Sequence, residues 1–109
     1  MSGRNRVAVA RRFAHRLRER YPSQVKEVIL FGSVARGTDG PDSDIDVLVI
    51  WSGDHHEGLH RVCRVAFAEV LQGRPYVSAK VLTPKEWARG KRTKNPFVRA
   101  ILAEGHPLS

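Results

Sequence analysis

Gly32-Ser33, ten intervening residues and then Asp44-Ile45-Asp46 are the part of this sequence best equipped for chemistry. Two carboxylates separated by one residue project to the same side of an extended chain, about 6.5–7 Å apart along it. Such a pair suits a hard divalent cation. Magnesium fits because it takes few protein carboxylates and fills the rest of its octahedron with phosphate oxygens and water. The glycine-serine pair supplies the complementary half, since backbone amides at the start of a helical turn, joined by a serine hydroxyl, hold phosphate oxygens. A cation bridging a nucleotide's phosphates at Asp44 and Asp46 would stabilise charge on the attacked phosphorus and on the leaving pyrophosphate. Gly-Ser alone is ordinary turn chemistry. The constellation is far more specific than any of its parts.

The elements that must position these residues follow from periodicity and punctuation. Residues 5 to 20 place Val7, Ala10, Phe13, Ala14 and Leu17 three and four apart, the stripe of an amphipathic helix that covers a sheet and ends at Tyr21-Pro22. Val25 to Phe31 reads as the first strand, and its continuous apolar end, Val28-Ile29-Leu30-Phe31, predicts burial on both faces. Ser33 to Arg36 is long enough for one helical turn before Gly37 breaks it. Asp39-Gly40-Pro41-Asp42-Ser43 is a turn-rich return to the second strand, Asp44 to Trp51, with Ile45, Val47 and Val49 opposite the aspartates.

A helix from about Glu57 to Gln72 repeats Leu59, Val62, Cys63, Ala66 and Val70 and stops at Gly73. The third strand, Tyr76 to Leu82, turns Val77, Ala79 and Val81 to the core and Tyr76, Ser78 and Lys80 away from it. Thr83-Pro84-Lys85-Glu86 reads as a capping box with proline at the first helical position, opening a short helix that bears Trp87. Gly90 to Lys94 reads as a basic, mobile loop. Asn95-Pro96 opens a last helix with Phe97, Val98, Ile101 and Leu102 as its apolar side, ended by Gly105. This order predicts an α/β (α+β) fold, a small mixed sheet with flanking helices, with residues 1–109 as one domain and the site at one edge of the sheet.

Composition bounds the partners. The formal charge of +8 implies attraction to polyanions, but much of it is the series Arg4, Arg6, Arg11, Arg12, Arg16, Arg18 and Arg20, which reads as a solvated face of the first helix. No strand carries the aromatics of a stacking platform, so nucleic acid is not the expected direct substrate. No apolar run approaches the length of a membrane span and the N-terminus has no secretory pattern, which makes the cytoplasm the expected location. Cys63 is the single cysteine and reads as a packed core thiol. His56 and His60 have a spacing that can bind metal when a third ligand is supplied. None stands nearby, and the two read as a solvated pair at the start of a helix.

The fuller pattern, F-G-S-x-A-R-G followed by S-D-x-D-V-L-V, resembles the signature of the DNA polymerase beta-like nucleotidyltransferase superfamily, and the short length resembles its minimal branch. V-L-T-P-K-E-W and N-P-F-V-R-A-I-L-A-E-G are also similar to that branch, so the resemblance covers most of the chain. It implies transfer of a nucleoside monophosphate, commonly AMP from ATP, to an acceptor hydroxyl. It implies Asp44 and Asp46 on one or two magnesium ions and the Gly32 backbone and Ser33 on the phosphates. Arg36, Ser43 and Lys80 complete the candidate nucleotide-binding set, Arg36 as a support for the carboxylates or the loop. Members of this branch are often encoded beside a HEPN-domain protein and act as its antitoxin, some by adenylylating a tyrosine of the toxin, which implies a hetero-oligomer.

One departure matters. Where relatives carry a third aspartate in a pattern like V-D-L-V-V-L-T-P, this chain has Val77-Ser78-Ala79-Lys80-Val81-Leu82-Thr83-Pro84, with Ser78 in the carboxylate's place. That carboxylate helps bind metal and acts as the base toward the acceptor, a contribution of about 10²–10⁴-fold. Lys80, two residues along on the same face, would neutralise phosphate charge, occupy part of a degenerate metal site, or stand as an ordinary exposed lysine. Beside the enzyme stands a binding module, an antitoxin that occludes a HEPN ribonuclease without catalysis. A nucleic-acid-binding domain is the weaker third reading, and a chain of 109 residues offers little surface for an aminoglycoside pocket.

Overall fold

The computed structural model describes residues 3–108, with side chains from Asn5 onward; Arg4's side chain lies outside the described residues. The first amphipathic stripe forms α1 (Gly3–Arg20), followed by β1 (Val25–Phe31), a single turn α2 (Gly32–Arg36) and β2 (Ile45–Trp51). Then come α3 (His55–Leu71), β3 (Val77–Leu82), α4 (Pro84–Arg92), α5 (Pro96–Glu104) and a two-residue β4 (His106–Pro107). The sheet order is β3-β2-β1-β4. β1 pairs antiparallel with β2 and with β4, whereas β2 pairs parallel with β3, the geometry that a helical crossover such as α3 permits.

Both faces of the sheet are covered. Val28, Leu30, Ile45, Val47 and Val49 pack under α1 and α3 together with Phe13, Leu17 and Val62. Ile29, Leu48 and Ile50 face the other way, against Trp87 of α4 and Val98 and Ile101 of α5. The continuous apolar end of β1 is therefore buried on both sides, as its composition requires. Helix starts follow their capping chemistry. Asp54 accepts the Glu57 amide at 2.9 Å, and Thr83 and Glu86 form a reciprocal box with Pro84 inside it.

Four expectations are corrected. Gly90 does not open a loop: α4 continues to Arg92, and α5 packs closely against Gly90, since a Cβ there would lie 2.5 Å from Val98 Cγ2. Glycine at this position serves helix packing rather than helix breaking. Cys63 is exposed on the outer side of α3, so it is no core thiol. Arg6 is buried, unlike the exposed Arg11, Arg12, Arg16 and Arg20. The aspartate-bearing strand β2 is interior, so the site lies at one end of the sheet's centre and not along a lateral edge. The short β4, held to β1 by the pairs Ile29↔Pro107 and Leu30↔His106, has no sequence pattern that would announce it.

Candidate active site

β1 ends with Phe31 opposite Asp46, which brings the turn at Gly32 directly against the Asp46 carboxylate. Gly32 has φ +76°, and a Cβ there would lie 2.4 Å from Asp46 Oδ2. Backbone conformation and contact each exclude a side chain. Phe31, at the N-cap of α2, offers no side-chain cap, so the first amides of that turn take no cap from it. Gly37, in the left-handed conformation at φ 75°, closes the turn, and the Thr38 amide donates to Ser33 O at 3.0 Å.

Asp46, half-buried, is the second residue of β2, on the strand face of Leu48 and Ile50 that looks toward α4 and α5, and Asp44, exposed, lies one residue before the strand begins. The Asp46 carboxyl is raised above its usual 3.8, first by burial and then by the neighbouring Asp44 charge; Lys80 and Arg36 act in the opposite direction. A cation beside Asp46 would favour its charged form. In the parallel register Asp46 pairs with Ser78 and Leu48 with Lys80, so Ser78 is the β3 residue directly beside Asp46. Among the described residues no group of three or more histidine, cysteine, aspartate or glutamate side chains converges. Asp44 and Asp46 are the candidate donors for a hard divalent cation, whose remaining positions phosphate and water would fill.

The remaining candidates divide. Arg36 Nη1 donates to Glu104 Oε2 at 3.0 Å, tying α2 to α5 while its charge still reaches Asp46. The Ser43 hydroxyl accepts the Gly40 amide at 2.7 Å, which tightens the return loop immediately before Asp44. His56 and His60 are both exposed on α3. Glu57 follows the far end of β2 and pairs with Arg61 at 3.5 Å, away from the aspartates.

Arg6 is a positioning residue that sequence reasoning missed. Its guanidinium pairs with Asp39 and donates from Nη2 to Pro41 O at 2.8 Å, so α1 holds the loop that delivers Asp44. The signal was present: Arg6 lies four residues before Ala10 and seven before Phe13, on the apolar stripe and not opposite it. His106 Nε2 lies 2.9 Å from Ala35 O and ties β4 to α2.

A mixed sheet with a glycine-serine turn set against a carboxylate pair at the head of an interior strand defines the nucleotidyltransferase class. Residues 10–105 match the model of the nucleotidyltransferase domain family, and the chain belongs to that family, within the DNA polymerase beta-like superfamily. It is 38% identical over 50 residues to a Methanocaldococcus jannaschii protein named "Putative protein adenylyltransferase", covering 46% of this chain and 50% of that one. It is 32% identical over 60 residues to a Staphylococcus aureus aminoglycoside nucleotidyltransferase (4'), covering 55% of this chain and 24% of that one. The chain thus spans half or less of the length of these curated relatives. A crystal structure described as a "putative nucleotidyltransferase" from Sulfolobus solfataricus superposes with a TM-score of 0.63 at 26% identity, over 80% of this chain and 75% of that one. Another, described as a toxin-antitoxin with AMP-PNP, gives 0.55 at 20% identity over 91% and 72%, a likeness of fold alone.

Proposed function

We propose that this chain catalyses magnesium-dependent transfer of AMP from ATP to a hydroxyl of a partner protein, a HEPN-type toxin that it thereby neutralises as an antitoxin. The observation that carries this reading is that the Gly32 backbone lies directly against the Asp46 carboxylate, which supports a phosphate-binding turn working beside a metal-binding carboxylate. A relative named for protein adenylylation supports a protein acceptor, and a fold neighbour described as a toxin-antitoxin supports the setting.

Asp44 and Asp46 would hold the magnesium, which when bound neutralises charge on the triphosphate. The amides of Gly32 and Ser33, with the Ser33 hydroxyl, orient the phosphates, and Lys80 supplies a positive charge on the same face. The acceptor oxygen then forms its bond to the α-phosphorus as the bond to pyrophosphate breaks. Ser78 stands where a carboxylate would take the acceptor's proton. A neutral hydroxyl there leaves the proton to solvent and slows the transfer.

Labelled ATP, magnesium, this protein and the product of the adjacent gene form the test. The neighbour is expected to become labelled, and Asp44→Asn or Asp46→Asn to stop the labelling. The Ser78 position favours a second reading, an antitoxin that acts by binding alone. Complex formation with no labelling at any magnesium concentration selects it.

A further inference from the structure

The arginines of α1 do not form a uniform solvated face. Arg16 and Arg20 line one groove with Arg61 and Arg64 of α3, a cavity of about 220 Å³ between the two helices. Sequence places these two pairs more than forty residues apart, so their convergence is a property of the fold. The groove belongs to the α1/α3 layer, on the opposite side of the sheet from Asp46.

Little within it cancels this charge. Among the described residues Arg16 and Arg64 have no acidic partner, while Arg61 shares an exposed i,i+4 contact with Glu57 at 3.5 Å. The one carboxylate in the lining, Glu69, is buried and already paired with Arg74 at 2.7 Å. The fold thus brings four arginines to one groove, Arg20 resting over the Tyr21 ring, and a guanidinium is a fork that matches phosphate oxygens.

We propose that this groove binds the phosphate backbone of a single-stranded nucleic acid, as a tether separate from the transfer site. Arg16 and Arg20 are one helical turn apart, about 6 Å along α1, and Arg61 and Arg64 about 4.5 Å along α3. That row is too long for one phosphate and suits successive phosphates of a strand. Binding is without sequence preference: the Tyr21 ring at the groove's end is already engaged edge-on by Trp51 at 5.2 Å, so no free ring stacks a base. An acidic protein segment fits less well. The apolar lining, Val65 and Ala68, is short and offers no large anchor of the kind protein interfaces use.

The test is fluorescence anisotropy with a labelled oligouridylate of about twelve nucleotides, titrated between about 50 and 200 mM salt. Four phosphate contacts predict a log–log salt slope of about −3, a loss of about 50-fold across that range. The pair Arg16→Ala with Arg64→Ala is expected to bring the slope to about −1.4. The control pair Arg89→Ala with Arg92→Ala, exposed on α4 and equal in net charge change, is expected to leave it near −3. Circular dichroism confirms that each variant is folded. Absence of binding at the lowest salt, equal losses in the two pairs, or tighter binding of a polyglutamate competitor than of the oligouridylate overturns the proposal.

Discussion

Replacing Ser78 by aspartate places a third carboxylate directly beside Asp46, because the two residues are partners in the parallel β2/β3 register. Neighbouring strands lie about 4.8 Å apart and paired side chains share a face. Two charges at about 5 Å repel by about 1 kcal/mol in water and about 3 kcal/mol at a protein surface of intermediate dielectric. Asp46 is only half-buried, which favours the lower figure. The metal-free variant should therefore melt about 4–8 °C below the parent at neutral pH. The repulsion raises the folded-state pKa of both carboxyls, so the penalty is present above that raised value and vanishes as pH falls to the ordinary carboxylate range and the groups protonate. Magnesium should reverse it, since the added ligand favours the cation. If the missing base limits transfer, labelling of the partner should rise by about 10²–10⁴-fold. Differential scanning fluorimetry with and without magnesium at two pH values, run beside the labelling assay, reads all of this. A Ser78→Asp protein whose melting ignores both magnesium and pH, and which labels no faster, refutes the placement of Ser78 at a vacated metal and base position.

Three further perturbations probe the same geometry. Burial is the larger cause of the raised Asp46 carboxyl and the Asp44 charge the second; Asp44→Asn removes that second cause, so the metal-free protein should melt slightly higher at neutral pH and the gain should fade on acidification. In the parent, magnesium at about ten times its dissociation constant should add about 1.4 kcal/mol, or about 6–11 °C, and this shift should be absent from the variant. Gly32→Ala forces a side chain into a left-handed conformation, at about 1–2 kcal/mol, and drives its Cβ onto Asp46 Oδ2. Urea unfolding should show that loss, and magnesium should no longer shift the melting. Arg6→Ala strands the buried Asp39 charge and should cost about 3–5 kcal/mol, whereas Arg6→Ala with Asp39→Ala should cost less than the single change. Equal costs for single and double variants in chemical denaturation would show that the pair does not couple α1 to the loop.

What was legible in the sequence was whatever depends on neighbours along the chain. The capping residues Thr83 and Glu86 and the glycine after α2 are local facts, and each stands in the structure as its spacing requires. Gly90 was misread because a glycine's chemistry is the same whether it breaks a helix or admits another one. Only the arrival of Val98 from α5 distinguishes the two. Cys63 shared a helical repeat with Val62 and Ala66, yet periodicity fixes an angle around α3 and not the width of surface its neighbours cover. Arg6 carried its signal on the apolar stripe, but a buried charge becomes credible only with its counter-charge, and Asp39 stands 33 residues away in a loop of no regular structure. Ser78 lies between these cases. A family pattern singles it out, but the physical content of that departure comes from the register that sets it beside Asp46. The same register puts Lys80 beside Leu48, one step further along β3, close enough for its charge to act on Asp46. The strand that carries Ser78 is thus also the one from which a lysine offsets charge at Asp46, which is why replacing Ser78 alone, with Lys80 kept, isolates the effect of a carboxylate at that position.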